Sequence, residues 1–317
     1  MNKLEDVINS TGSEKLIGRS LFVNDVCVGL LLPSLVWSES SDGSLSFAGP
    51  KKLAKNVQPN SHAVLQALIS IDAILFGEIS ELSSVEFLLN EPTASRTASY
   101  IFASSDNCKD FLEKMGGISR GAVLIVGCGG IGSLVAMNLA GAGVKRIHLV
   151  DADFIELSNL NRQFFWTASD LGLNKVDVLK KQINSRFSQI NCTAEVASFT
   201  SKDIEIISKE YSDVIITADE PLGLGSDIKG DCAHKIIASG YFHGYLRMEV
   251  GFNPVSVKSE SWNRGPGFIG PSFGPSNTEL AGVLSSFVIQ RLCGLISRHD
   301  PSFSMEWSSR EFPRRCY

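Results

Sequence analysis

Three residues in this chain have the types and the spacing to work on a polyphosphate: Arg162, Lys175 and Asp219. A guanidinium is a planar fork that fits phosphate oxygens in pairs. Lys175 follows 13 residues later and opens a stretch, Val176–Ile183, with helical periodicity. It supplies a second cation. Asp219 stands just beyond Asp213–Ile216, a run that reads as a strand, and its oxygens suit magnesium. Two cations and a metal-binding carboxylate are what attack on an α-phosphate needs, because negative charge builds on the transferring group and on the leaving pyrophosphate. Taken singly, each residue has a plainer account: a solvated loop arginine, an exposed helix lysine, a turn or cap residue ahead of Pro221.

The elements that would position these groups are legible upstream. Val123–Val126 reads as a buried strand and leads into Gly127-Cys-Gly-Gly-Ile-Gly132, followed by Ser133–Ala140, an apolar helix. Gly127, Gly129 and Gly132 fit a phosphate loop: a tight turn, close backbone approach, and a helix N-terminus offering N–H groups to an anion. A second strand, Arg146–Val150, ends at Asp151, which lies 19 residues past Gly132. An acidic residue about 20 residues on is expected to hold ribose hydroxyls. A glycine turn that only packs helix on sheet would not need Asp151. A nicotinamide oxidoreductase would use the loop and Asp151 but leave Arg162, Lys175 and Asp219 idle. The polar run Ser158-Asn-Leu-Asn-Arg-Gln163 falls near the phosphate end of such a site.

Together these residues resemble the ThiF/MoeB/MccB superfamily of ATP-dependent adenylating enzymes, which includes the ubiquitin-activating type. The matching runs are Gly127–Gly132 (with Gly130 inside it), Val150-Asp-Ala-Asp153, Glu156–Gln163, Lys175 and Ala218-Asp219. The resemblance covers roughly Leu112 to Gly294. It implies that Asp151 binds ribose and that Asp153, Ser158, Asn159, Arg162, Gln163 and Lys175 line the nucleotide. It further implies that Asp219 holds Mg2+ near the α-phosphate, with ATP as the nucleotide. Ile237–Gly251 is similar to the family's later strands, and Gly270–Asn277 with the apolar helix after it to the substrate-side loop and closing helix. Phe268 and Phe273 would shape that pocket, or belong to a plain connecting loop.

Two departures from the family pattern set further expectations. The seven cysteines, Cys27, Cys108, Cys128, Cys192, Cys232, Cys293 and Cys316, form no Cys-x-x-Cys pair, so no zinc is expected. No cysteine lies between Ala233 and Leu292, which argues against a cysteine thioester and for direct attack on an acyl-adenylate. Cys128 reads as a packing residue. A length of 317 residues with 44% apolar content allows a large core in two domains. A net charge of −5 gives no general pull towards nucleic acid or membrane. Scattered cysteines, no signal-peptide core and no long apolar stretch make a cytoplasmic protein the default. Arg310, Arg314 and Arg315 read as a solvated tail or as a patch for an acidic partner.

Ahead of the glycine loop, Phe22–Leu32, Ser34–Trp37 and Ser44–Phe47 read as strands, with a polar turn at 38–43. Asn60–Leu75 reads as a capped helix and Glu78–Leu89 as a shorter one. The fold expected is therefore α/β: a Rossmann-like, mostly parallel adenylation domain at 121–317, a linker helix region at 93–120, and a small α+β, winged-helix-like module at 1–92. The module resembles the peptide-binding part of family members that modify ribosomally made precursor peptides, of the microcin and pantocin types. A peptide added as a strand to an exposed edge is one way to hold such a substrate; support of a dimer is the other reading of the module. Arg96 fits by position a family arginine that reaches into a partner subunit's ATP site, which implies a homodimer. The expected activity is adenylation of a precursor-peptide carboxylate. Activation of a sulfur-carrier or ubiquitin-like C-terminus, a nicotinamide oxidoreductase and a non-catalytic scaffold are the alternatives.

Overall fold

The computed structural model describes residues 3–11, 13–220, 223–242, 244–251, 265–297 and 302–314, without the side chains of residues 3, 11, 230, 231, 242 and 303. Pro221, Arg315 and Cys316, which entered the expectations above, lie outside the described residues. The chain divides into two compact units, Met1–Gly116 and Gly117–Tyr317.

In the first unit, β1 (Glu14–Ile17), β2 (Ser20–Val23), β3 (Val26–Leu31) and β7 (Ile74–Phe76) form one antiparallel sheet in the order β1-β2-β3-β7. A second antiparallel sheet holds β4 (Val36–Glu39), β5 (Leu45–Ala48) and β6 (Leu53–Val57). The helices are α1 (Lys3–Ile8), α2 (Ser61–Ser70), α3 (Ile79–Asn90), α4 (Ser95–Phe102) and α5 (Cys108–Arg120), the last crossing the division between units. The single long strand expected over Phe22–Leu32 is in fact a hairpin. Asn24 and Asp25 both take left-handed φ, 50° and 63°, which turns the chain back on itself. The helix starting at Asn60 is capped as expected, with Asn60 Oδ1 accepting from the Ala63 N–H at 2.9 Å. It stops at Ser70 rather than Leu75, because Asp72 turns left-handed (φ 58°) and Ile74–Phe76 pair with β3.

The second unit is built on a seven-stranded sheet: β8 (Ala122–Val126), β9 (Arg146–Val150), β10 (Asn191–Glu195), β11 (Asp213–Ile216), β12 (Ile236–Phe242), β13 (Tyr245–Val250) and β14 (Phe303–Ser308). Their spatial order is β10-β9-β8-β11-β12-β13-β14. The first five in that order run parallel; β13 pairs antiparallel with β12, and β14 antiparallel with β13. β8 and β11 are buried at every position, as apolar strands covered on both faces must be. The crossovers are α6 (Gly132–Ala142), α7 (Lys175–Arg186) and α8 (Ser201–Ile207), and α9 (Gly274–Leu292) follows later. One side of the sheet buries Leu124, Val126, Val150, Val214 and Ile216 with Ile204, Leu224 and Ile228. The strand order reverses between β8 and β11. Their carboxyl ends therefore open the crevice where ligands bind in doubly wound sheets. The described residues contain no helix long and apolar enough to cross a membrane.

Candidate active site

The glycine loop leaves β8 at this crevice, and its glycines do two different jobs. Gly127 has φ +93°, and a Cβ there would strike the backbone of Ala218. One on Gly132 would strike the carbonyl of Gly127 and crowd Thr217 Oγ1, which itself donates to that carbonyl at 2.7 Å. These two hold the loop against the end of β11. At Gly129, among the described residues, an added Cβ would meet only Gln163 Nε2 within 4 Å, at 3.6 Å. The helix begins within one residue of the expected place.

From the loop a continuous polar chain runs to Lys175. The N–H of Cys128 donates to Asp151 Oδ2 at 2.6 Å, and the N–H of Asp153 to Asp151 Oδ1 at 2.8 Å. Burial holds the Asp151 carboxyl above its ordinary range, and these two N–H donors offset it only in part. Lys175 Nζ donates to Asp153 Oδ2 at 2.7 Å, and the Lys175 N–H to the Asp153 carbonyl at 3.1 Å. Lys175 is buried although it opens α7, while Asp153 is exposed. A buried ammonium is uncommon unless paired, and here its partner is one exposed carboxylate.

The segment after Asp153 folds on its own amides. Asn159 is buried; its Oδ1 accepts from the Glu156 N–H, and its carbonyl accepts from the N–H groups of Arg162 and Gln163. Ser158 is exposed and donates to Glu156 Oε2 at 3.2 Å. Arg162 rests its Nη1 on the Ser158 carbonyl at 2.6 Å and on Asn161 Oδ1 at 3.1 Å. Asp219 is exposed, three residues past the end of β11, so one carboxylate stands at the edge of the crevice. Such a group suits Mg2+, which takes one or two protein carboxylates and fills its shell with water and substrate phosphate. Among the described residues no group of three or more His, Cys, Asp or Glu side chains converges on a metal-sized site. Cys128 is fully buried with its Sγ towards the Val150 carbonyl, and burial raises its thiol well above the ordinary range. It packs. Arg96 is exposed on α4, in the first unit.

The part that sequence reasoning missed comes from the far end of the unit. Gly270–Asn277 was expected to be a loop ahead of a helix, but α9 already begins at Gly274. A Cβ on Gly274 would touch the ring of Phe164, and one on Gly130 would strike the amide of Asn277. The first turn of α9 therefore seats on the glycine loop and on the Asn161–Phe164 segment. Phe268 and Phe273 are exposed. Nothing local marks Asn277 as meeting the glycine loop, because Gly130 is more than a hundred residues away in the chain.

Residues 106–237 match the ThiF family. The adenylyltransferase and sulfurtransferase MOCS3 of Culex quinquefasciatus is 39% identical over 101 residues, 32% of this chain and 23% of that protein. A probable molybdopterin-synthase adenylyltransferase of Porphyra purpurea is 36% identical over 126 residues, 38% and 31% of the two chains. This chain thus spans between about a quarter and a third of the length of these relatives. Two solved structures are similar over nearly the whole chain. E. coli MccB with ATP has a TM-score of 0.69 at 19% identity, covering 92% of this chain and 96% of that one. The microcin C7 biosynthetic enzyme MccB in complex with N-formylated MccA has a TM-score of 0.71 at 18% identity, covering 91% and 96%. That likeness establishes the shared fold.

Proposed function

With a ThiF family domain over residues 106–237 as the premise, we propose that this chain is an ATP-dependent adenylyltransferase acting on a carboxylate of a peptide. The observation that carries the reading is the chain of contacts Cys128–Asp151–Asp153–Lys175, which ties a buried cation to a phosphate loop. A nicotinamide site has no use for that cation. In the reaction a carboxylate oxygen bonds to the α-phosphorus of ATP while the bond to the bridging α–β oxygen breaks, releasing pyrophosphate. A second nucleophile then attacks the carbonyl carbon of the acyl-adenylate, the bond from that carbon to the phosphate oxygen breaks, and AMP leaves. Lys175 and Arg162 offset charge on the phosphates, the N–H groups at the start of α6 hold the phosphates in place, and Asp219 would hold Mg2+, which would supply further positive charge to the leaving group. Asp151 takes the ribose. The sequence-similar MOCS3 and molybdopterin-synthase adenylyltransferases support the coarse activity, and the fold shared with MccB bound to MccA supports a peptide substrate.

The same relatives favour a second reading, in which the carboxylate is the C-terminus of a small carrier protein, and a NEDD8-activating catalytic subunit of Saccharomyces cerevisiae points the same way. Arg96 of one subunit reaching the nucleotide of another belongs to the homodimer form of either reading. Pyrophosphate–ATP exchange decides between them when run with synthetic peptides bearing free or amidated C-termini and with a carrier protein ending in Gly-Gly. Exchange with a free-carboxylate peptide supports the peptide reading. Exchange with the carrier alone transfers the function to carrier activation. Reduction of NAD by any substrate would displace both.

A further inference from the structure

The N-termini of two helices meet at Gly130. α6 starts at Gly132 and α9 at Gly274, and the amide of Asn277 in α9 lies so close to Gly130 that a Cβ there has no room. Asn277 is 1% exposed. Its Nδ2 donates to Ser272 Oγ at 3.1 Å, while its Oδ1 is buried without a hydrogen-bond partner among the described residues. Beside Gly129, Gln163 is 4% exposed and its Oε1 is likewise without a partner among the described residues. Nor do the N–H groups of Gly129 and Gly130 find a partner among the described residues.

The two buried side-chain oxygens are destabilising while unpaired, and they lie beside the partly exposed Gly129 and Gly130. That spot lies at the positive ends of two helices, of 11 and 19 residues, which favours an anion. Phosphate oxygens only accept hydrogen bonds. The Ser272 hydroxyl donates as readily as it accepts. A half-turn of the Asn277 amide therefore pairs its carbonyl with that hydroxyl and frees the NH2 for an anion.

We infer that Asn277 binds the phosphates of the nucleotide held over Gly129 and Gly130, so that the first turn of α9, seated beside the Asn161–Phe164 segment, completes the phosphate site. The inference rests on the nucleotide reading of the glycine loop. It adds a phosphate contact to a segment whose resemblance is to the family's substrate-side loop, and Asn277 lies outside residues 106–237 that match the family.

The test uses the full chain with Mg–ATP, Mg–ADP and AMP, and measures affinity by titration calorimetry. Asn277→Leu is expected to weaken Mg–ATP about tenfold or more, the usual effect of losing a hydrogen bond to a charged group, with AMP changed less than about twofold. Asn277→Asp keeps the shape and places a negative charge at Gly130. Its loss should be larger and graded, greatest for ATP and least for AMP, while the ligand-free melting temperature stays near wild type. A purely structural role would instead weaken all three ligands alike or lower the ligand-free melting temperature of Asn277→Asp. Unchanged ATP affinity in both variants overturns the assignment of Asn277 and leaves the nucleotide site standing. No binding of Mg–ATP by the wild-type chain overturns both.

Discussion

Arg162 shows how a residue can be in place without being engaged. Its guanidinium rests on the Ser158 carbonyl and on Asn161, so any contact with phosphate exchanges existing hydrogen bonds for new ones. The exchange is most favourable when charge has built up, which is in the transition state. Arg162→Ala is therefore expected to lower kcat by about 10- to 100-fold, with the Kd for Mg–ATP changed less than about threefold. Single-turnover kinetics with separate equilibrium binding checks this, and an unchanged kcat would mark Arg162 as a loop residue. Asp219 is exposed at the end of β11, where substitutions usually move stability by less than about 0.5 kcal/mol. Asp219→Ala should keep the wild-type melting temperature within about 2 °C and lose pyrophosphate release; normal release would remove it from the metal site.

α9 is the element on which the site's geometry turns. Its first turn meets the glycine loop, and it is anchored further along. Glu279 accepts from Arg314 through both oxygens, at 2.7 and 2.9 Å, and from Trp307 Nε1 at 2.9 Å. Arg314 also covers the ring of Phe312, 4.0 Å from its centre. Arg314, read from the sequence as a solvated tail residue, is thus one half of an internal clamp. At the other end of α9, buried Arg291 faces buried Asp213 at 3.1 Å and donates to the His234 carbonyl. The hydrogen bonds from Arg314, with lesser help from Trp307, hold the Glu279 carboxyl below its ordinary range. A lowered folded pKa means that the clamp's contribution is present above the unfolded value, about 4.3, and is lost as pH falls through the folded one. Glu279→Gln should accordingly melt below wild type at pH 7. The gap should close as pH drops below about 4 in thermal scans, and a gap independent of pH would mean that the charge contributes nothing.

At the scale of the whole molecule, what was legible in the sequence followed from local pattern. β8, β11, α6 and α7 stand where apolar runs, glycines and a helix-opening lysine put them, because each is specified by a few adjacent residues. The turn at Asn24-Asp25 was missed because the flanking residues keep strand-like character through it, and only two left-handed residues break the run. The early end of α2 was missed because strand pairing of Ile74–Phe76 with β3 overrides helical pattern. The seating of Asn277 on Gly130 and of Arg314 on Glu279 was beyond reach for a different reason. Both join segments distant in the chain, and neither residue type announces its partner. Asp151, Asp153 and Lys175 could be picked out one by one, yet their linkage into a single chain from the Cys128 N–H appears only in three dimensions.

The central claim is that this linked set binds a triphosphate and not a dinucleotide. A comparison of melting temperatures with Mg–ATP, NAD and NADP, repeated on Lys175→Ala, tests it most directly. At about 100 times its dissociation constant a ligand adds roughly 2.7 kcal/mol, a shift of several degrees. The account predicts that shift with Mg–ATP alone, reduced in Lys175→Ala. A shift with NAD or NADP, and none with Mg–ATP, would contradict it.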